Sequence, residues 1–308
     1  MAAPIPVSIV GGFLGAGKTT LVNHLLRERG GRRIAVLVND FGDLSIDDAL
    51  IEARDGALLR LAGGCICCSF GSDLLAALQQ LLALQAPPDH VLVECSGVAL
   101  PSAVARSLGL LSGFALDAQL VLADAETLRE RAADRYVGDL LRQQLVEADL
   151  IVLNKCDLID ERALAALHDW LHQQAPRARV LSCTQGRLDP ALALGIGPPT
   201  DAPPRLTAAL QVPPPADRSF ESLSLEFDHA VDVERLAAAL AAPSLQLLRA
   251  KGLMRDRGGR PRVLQLVGAR HQCSDSRVDP GRGRLVCIAR RGTLQVPQLR
   301  ALLASCAA

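Results

Sequence analysis

The sequence predicts an α/β fold, in which a doubly wound, mostly parallel sheet is followed by a smaller α+β domain. Between residues 5 and 183, short β-branched runs alternate with longer leucine-rich runs, which is the pattern of stacked βα units. A glycine-rich loop follows the first of these runs directly. Eight of the 18 prolines fall between residues 190 and 215, where the alternation stops.

The individual elements follow from hydrophobic periodicity and from turn residues. The expected strands of the first part are residues 5–10, 33–38, 90–94, 119–124, 150–153 and 179–181, with helices at 72–85 and 160–174 among those between them. The later part predicts strands at 220–227, 245–254, 262–267 and 285–289, and helices at 233–240 and 296–305.

The proline-rich stretch predicts a domain boundary, because proline cannot donate a backbone hydrogen bond and favours an extended spacer. We therefore expect a first domain over residues 1–185, a linker over 186–217 and a second domain over 218–308.

Composition narrows the function classes. Of the 308 residues, 49% are hydrophobic and 21% are charged, which is typical of a globular protein. The 33 basic and 33 acidic residues cancel, so net charge favours neither nucleic acid nor an anionic membrane as partner. Nine unevenly spaced cysteines do not suggest a disulfide framework, and neither a signal peptide nor a membrane-spanning run is predicted. We expect a cytoplasmic protein.

The first glycine-rich loop, GFLGAGKTT, contains a complete GxxxxGK[ST] motif after a predicted strand and before a predicted helix. Its backbone N–H groups and the helix N-terminus suit phosphate, Lys18 suits the β- and γ-phosphates, and the Thr19 hydroxyl suits Mg²⁺. We call this phosphate-binding loop the P-loop, and it predicts the fold of a P-loop NTPase. The expected phosphate-binding residues are Gly12, Gly15, Ala16, Gly17, Lys18, Thr19 and Thr20.

Two later strand ends complete the predicted nucleotide site. Glu94 ends the strand 90–94, where a carboxylate can join the Mg²⁺ shell or orient water, and Gly97 can approach the γ-phosphate. Asn154, Lys155 and Asp157 follow the strand 150–153 in the tetrapeptide NKCD. A carboxylate at Asp157 can accept two hydrogen bonds from guanine that adenine cannot donate, so we expect GTP.

Three thiols crowd into the segment GGCICC, at Cys65, Cys67 and Cys68. Three thiolates favour Zn²⁺ or a similar ion and leave one coordination position for a further ligand or a receiving protein. A redox pair and buried packing cysteines are the alternative interpretations.

Together, the motifs GFLGAGKTT, GGCICC, ECSG and NKCD resemble those of the CobW-type P-loop GTPases, which are related to HypB and UreG. The segment LRAKG at 248–252 resembles the C-terminal domain of that family. The resemblance implies GTP-dependent delivery of a metal, most often zinc, to a client protein. It also identifies VNDFGD at 38–43 with the first switch segment and assigns Asp40 a catalytic or Mg²⁺-binding role, beside Lys18 and Glu94.

The main hypothesis is therefore a GTP-hydrolysing metallochaperone with GTP, Mg²⁺ and Zn²⁺ as ligands. No catalytic glutamine or arginine is evident in the sequence, so we expect slow turnover unless a partner or a second copy in a homodimer completes the site. Alternatives are cobalt handling for cobalamin synthesis with Co²⁺, a non-enzymatic zinc buffer or sensor that uses nucleotide structurally, and a small-molecule kinase, which the NKCD element disfavours.

Overall fold

The first unit is built on a parallel sheet. The computed structural model describes residues 4–38, 58–60, 70–195 and 220–307, and it divides into compact units at 1–194 and 195–308. The first unit has seven strands in the order β3-β2-β4-β1-β5-β6-β7, and every pairing is parallel. The strands are β1 (Ile5–Gly12), β2 (Ile34–Val38), β3 (Leu58–Arg60), β4 (His90–Glu94), β5 (Phe114–Asp124), β6 (Leu150–Asn154) and β7 (Arg179–Ser182).

Helices cover both faces of this sheet. They are α1 (Lys18–Arg27), α2 (Phe70–Leu82), α3 (Pro101–Leu108), α4 (Leu128–Ala133), α5 (Gly138–Glu147), α6 (Glu161–Gln174) and α7 (Pro190–Ala193). Val7 and Ile9 of β1 pack with α2 and α3, while Ser8, on the opposite face, donates a hydrogen bond to the Ala193 carbonyl of α7 at 2.5 Å. Strands enclosed in this way read as continuous apolar runs, as in β2, where all five residues are buried.

The direction in which strands are added to the sheet reverses at β1. From β1 the chain first moves to β2, and it later crosses to β5 on the other side of β1. Ligands of open α/β sheets bind outside the carboxyl ends of the strands at such a switch point. The P-loop follows β1 at this position, so the topology agrees with the predicted phosphate site.

The second unit is a five-stranded antiparallel sheet in the order β11-β10-β9-β12-β8. Its elements are β8 (Phe220–Phe227), α8 (Val233–Leu240), β9 (Leu247–Arg255), β10 (Pro261–Val267), β11 (Arg270–Asp275), β12 (Gly283–Arg290) and α9 (Val296–Ser305). Leu236 and Leu240 of α8 and Leu299 of α9 pack with one face of the sheet, including Leu264 and Cys287. The predicted α/β fold with a smaller α+β domain is thus confirmed.

The structure corrects the expected start of the linker at residue 186. Residues 186–194 belong to the first unit rather than to a spacer, because Leu188, Leu192 and Leu194 are buried and α7 lies within this stretch. Asp189 caps α7 by accepting a hydrogen bond from the Ala191 amide at 2.8 Å. Pro190 occupies the first helical position, where a missing N–H costs nothing. Proline here therefore starts a helix instead of an extended segment.

Further differences concern short elements. Strands β3 and β11 were not predicted from the sequence, and β5 begins at Phe114 rather than at residue 119. The exposed β11 has only intermediate or exposed residues, so its hydrophobic signal is weak. None of the helices in the described ranges is long and apolar enough to span a bilayer.

Candidate nucleotide-binding site

The P-loop adopts a backbone that only glycine accommodates easily. Gly15 and Gly17 have φ values of 78° and 100°, in the region that disfavours side chains with a Cβ atom. Gly17 is the N-cap of α1, and its carbonyl accepts the first helical hydrogen bond from the Leu21 amide at 3.0 Å. The remaining N–H groups of this first turn point out of the helix end, which suits an anion such as phosphate.

The first two side chains of α1 face the end of β4. The Lys18 side chain is largely buried, with its Nζ 3.5 Å from the Phe13 carbonyl oxygen of the same loop. The Thr19 hydroxyl donates a hydrogen bond to Glu94 Oε1 at 2.9 Å. The parallel register pairs Val10 with Glu94, so the carboxylate lies beside the start of the P-loop. The structure therefore brings together the predicted Lys18, Thr19 and Glu94.

The Thr19 and Glu94 side chains fit a magnesium ion. A hydroxyl and a carboxylate are the hard oxygen donors that Mg²⁺ prefers, and the two groups already lie within hydrogen-bond distance of each other. The neighbouring Cys95 thiol is buried. Burial raises its pKa to about 12, more than the positive charge of Lys18 lowers it.

Gly97 lies directly against the P-loop. A Cβ atom on Gly97 would lie 2.6 Å from Leu14 Cδ2 and 2.8 Å from the Leu14 backbone nitrogen. Only a residue without a side chain allows this approach. Gly97, predicted to approach the γ-phosphate, is thus packed against the loop that is predicted to bind the phosphates.

Asn154 connects the NKCD turn to the P-loop. Its Nδ2 donates to the Ala16 carbonyl at 3.0 Å, and its Oδ1 accepts from the Gly186 amide at 3.0 Å. The side chain is buried, with both ends of the amide bonded. A Cβ atom on Gly17 would overlap with this Nδ2 group. Asn154 therefore supports the phosphate loop from the strand that precedes the predicted guanine site.

Lys155 and Asp157 occupy the turn after β6. Lys155 has a left-handed backbone with φ of 63°, and its Nζ lies 2.6 Å from Asp124 Oδ2 at the end of β5. Asp157 lies in the short 3-10 helix Cys156–Leu158, where it is exposed to solvent. An exposed carboxylate in this turn is accessible to a purine edge.

Gly12 ends β1 and Thr20 lies in the first turn of α1, whereas four predicted residues lie outside the described ranges. These are Asp40 of the expected switch segment and the three thiols Cys65, Cys67 and Cys68. Within residues 4–38, 70–195 and 220–307, no group of three or more histidine, cysteine or acidic side chains is arranged to bind a metal ion.

Three supporting residues were missed by the sequence analysis. Asp124 had a signal, because it ends a predicted strand on the same edge of the sheet as Glu94. Gly186 stands inside the stretch that was assigned to the linker, which concealed its contact with Asn154. Gln144 of α5 donates to the Gly97 carbonyl, and a glutamine within a helix carries no sequence signal of that kind.

The comparison with protein families agrees with both units. Residues 6–182 match the CobW/HypB/UreG nucleotide-binding domain. Residues 220–307 match the C-terminal domain of the cobalamin synthesis protein cobW. The first match includes the P-loop, Glu94 and the NKCD turn described above.

Individual relatives extend over most of the chain. The zinc chaperone CobW of Sinorhizobium sp. is 30% identical, with 86% of each chain covered. The zinc chaperone YjiA of Escherichia coli (strain K12) is 32% identical, with 82% of each covered. A crystal structure of a Zn(II)-bound triple mutant of the YjiA GTPase covers both chains fully, with a TM-score of 0.50 and 27% identity. The chain, with its P-loop nucleotide-binding domain and its C-terminal domain, belongs to the CobW family.

Proposed function

We propose that this protein is a GTP-hydrolysing metallochaperone that binds Zn²⁺ and passes it to a client metalloprotein. The observation that carries this proposal is the junction at the end of β1. There the P-loop, Glu94 and Asn154 are joined by direct hydrogen bonds, Thr19 to Glu94 and Asn154 to Ala16. This junction brings together the groups that we propose bind phosphate, Mg²⁺ and the base.

The nucleotide part of the proposal assigns each of these groups a role. Backbone N–H groups of the P-loop and Lys18 bind the phosphates, and Thr19 and Glu94 would hold Mg²⁺, with Asp40 as a further oxygen donor. When bound, Mg²⁺ neutralises charge between the β- and γ-phosphates. Asp157 accepts from guanine, and Lys155 lies along the purine ring. Turnover is slow unless a partner or a second copy of the chain completes the site.

The metal part rests on the three thiols and on the relatives. Cys65, Cys67 and Cys68 supply soft thiolate ligands, which suit Zn²⁺ and can also accept Co²⁺. The relatives described above are named as zinc chaperones, and one solved structure is named as Zn(II)-bound. A reducing, cytoplasmic location belongs to the same proposal, because such thiols must stay reduced to bind metal.

The two parts are coupled in this proposal. The thiol segment stands in the sequence between the P-loop, which is proposed to bind the phosphates, and Glu94, which is proposed to hold Mg²⁺. If the γ-phosphate changes the conformation of that segment, it changes zinc affinity, and by linkage zinc changes GTP affinity by the same factor. Hydrolysis then releases the metal toward the client.

A metal titration tests this proposal. Zn²⁺ and Co²⁺ are titrated against a chromophoric chelator, with the protein held in Mg²⁺ plus a non-hydrolysable GTP analogue and then in Mg²⁺ plus GDP. Cys67→Ala removes a proposed ligand, and Cys273→Ala is the matched control, since it removes a half-buried thiol of β11. We expect a nucleotide-dependent zinc affinity that Cys67→Ala abolishes and Cys273→Ala preserves.

Other results select the alternatives. Equal zinc affinity in both nucleotide states would contradict the coupled chaperone and favour a zinc buffer or sensor. Zinc binding and biological activity that survive Lys18→Ala would favour the same alternative. Tighter, nucleotide-dependent binding of Co²⁺ than of Zn²⁺ would favour cobalt handling.

A further inference from the structure

The helices α4 and α5 contact the P-loop and the segment that follows Glu94. Arg131 of α4 donates from its guanidinium to the Leu14 carbonyl of the P-loop at 2.8 Å. Its Cζ also lies 5.1 Å from the centre of the Phe13 ring. A planar cation over an aromatic face adds to the hydrogen bond. The first contact of this helical pair is therefore with the P-loop.

The second contact is with the segment that follows Glu94. Gln144 of α5 donates from Nε2 to the Gly97 carbonyl at 3.2 Å and to the Ala99 carbonyl at 2.8 Å. One turn later, Glu147 Oε2 accepts from the Ser102 amide at 3.1 Å, in the first turn of α3. These bonds fix the segment between Glu94 and α3 to a helix that itself carries no predicted ligand.

Burial of the Gln144 side chain costs free energy of folding. The side chain is 1% exposed and stands between the buried Leu141 and Leu145. Its Oε1 is buried and has no hydrogen-bond partner among the described protein atoms. A buried amide oxygen without a partner destabilises a fold, and leucine would fill the same volume without that penalty. The two bonds that Gln144 donates offset this penalty, and the segment that they hold in place is the feature to explain.

Gly97 is held from two sides. Leu14 of the P-loop packs against its Cα, and Gln144 binds its carbonyl. Gly97 is predicted to approach the γ-phosphate, which GTP has and GDP lacks. A group that fixes Gly97 therefore changes the affinity for GTP more than the affinity for GDP.

We propose that Gln144 is a positioning residue for γ-phosphate recognition: by binding the Gly97 and Ala99 carbonyls it holds the Gly97 amide where a γ-phosphate is bound. This inference rests on the proposed function, since it requires that the site binds GTP. It goes further in assigning the discrimination between GTP and GDP to a contact from α5. Gln144 does not touch the nucleotide and acts through Gly97.

The test compares two substitutions at one position. Gln144→Leu keeps the volume and removes the donor, and Gln144→Glu keeps the shape and replaces the donor by an acceptor while it is ionised. Val146→Ala is the control on the exposed side of α5. Affinities of the full-length protein for Mg²⁺ plus a non-hydrolysable GTP analogue and for Mg²⁺ plus GDP are measured by displacement of a fluorescent GDP, with thermal melting to verify folding.

We expect Gln144→Leu to bind the GTP analogue roughly tenfold more weakly while GDP affinity changes less than about twofold. Gln144→Glu regains the analogue as its carboxyl becomes protonated, because a protonated carboxyl donates a hydrogen bond to a carbonyl. A rise in the affinity of Gln144→Glu for the analogue as the pH falls supports positioning. An affinity near that of the wild type at every pH supports it too, because burial can keep the carboxyl protonated. Val146→Ala behaves as the wild type.

Two results would overturn the inference: a folded Gln144→Leu variant with wild-type discrimination, or equal losses for GTP analogue and GDP. A wild-type protein that bound neither nucleotide would instead refute the proposed function, and this inference with it. The two failures are distinguished because the first concerns the variant alone.

Discussion

Lys155 and Asp124 form an ion pair across two neighbouring strands, with Lys155 Nζ 2.6 Å from Asp124 Oδ2. The register of β5 and β6 pairs Asp124 with Asn154, so the carboxylate lies beside the NKCD turn. The Asp124 side chain is 8% exposed, and its Oδ1 accepts from the Glu126 amide. The pair therefore fixes the ammonium group in a turn whose backbone at Lys155 is left-handed.

Loss of this pair should weaken guanine-nucleotide binding. Asp124→Asn keeps the shape but removes the charge that orients Lys155, at a cost of about 1 kcal/mol, or roughly fivefold in affinity. Isothermal titration with GDP measures the change. Asp169→Asn, on the exposed side of α6, is the matched control and should bind as the wild type does. An Asp124→Asn variant with unchanged affinity would show that Lys155 needs no orientation.

The base preference of the site should follow Asp157. Guanine presents an amine where xanthine presents a carbonyl, and asparagine can donate to that carbonyl whereas aspartate cannot. We therefore expect Asp157→Asn to lose GDP affinity by about tenfold or more and to gain affinity for xanthosine diphosphate. Competition between the two diphosphates measures the switch. Parallel losses for both bases, or no loss for either, would contradict the role of Asp157.

Gly15 and Gly17 of the P-loop allow the cost of a left-handed backbone to be distinguished from the cost of a steric clash. A Cβ atom on Gly15 meets open space, so Gly15→Ala carries the cost of its backbone alone, about 1–2 kcal/mol. A Cβ atom on Gly17 also collides with Asn154 Nδ2, and the bond from Asn154 to Ala16 must break. We expect urea denaturation to show a larger destabilisation for Gly17→Ala than for Gly15→Ala. Equal losses would mean that Asn154 moves aside without cost.

Removal of the Thr19 hydroxyl should raise the Mg²⁺ concentration that GTP hydrolysis requires. Thr19→Val keeps the branched shape and removes the group that bonds Glu94, so one oxygen donor for Mg²⁺ is lost. We expect the dependence of GTP hydrolysis on Mg²⁺ to shift to at least about tenfold higher concentration. Ser107→Ala, which removes a hydroxyl from α3, serves as control. An unchanged magnesium titration of Thr19→Val would exclude the hydroxyl as a ligand.

Acid should weaken the pairing of β2 with β4. Asp89 accepts from the Arg33 guanidinium at 3.0 Å and from the Arg33 amide at 2.8 Å, and these bonds hold the pKa of Asp89 below its usual range. The resulting stability is present above the unfolded pKa, near 3.9, and is lost as the pH falls through the lower folded pKa.

Urea midpoints of Asp89→Asn and the wild type measure this contribution. The wild type should be slightly more stable at pH values above about 5, since the pair is exposed, and the difference should shrink below about 4. Asp169→Asn, at an exposed position of α6, is the matched control. A difference that stays constant as the pH falls would mean that the charge of Asp89 contributes nothing.

Much of the fold was predictable because its signals are local. The helix expected at residues 160–174 is α6, and Asp160 caps it by accepting from the Ala163 amide at 2.7 Å. Strands β2, β4 and β6 were predicted within a residue or two, since each is a fully buried apolar run. The beginning of the linker was wrong, because proline content alone does not distinguish a spacer from the first turn of α7.

The sequence by itself determined the P-loop, the NKCD turn and the positions of most strands along the chain, because a phosphate loop or a buried strand is specified by neighbouring residues. Only the tertiary structure decided which distant side chains support them. Asp124 reaches Lys155, Gly186 reaches Asn154 and Gln144 reaches Gly97. These contacts join residues that are 31, 32 and 47 positions apart. Their partners depend on sheet order and helix packing, which local periodicity does not specify.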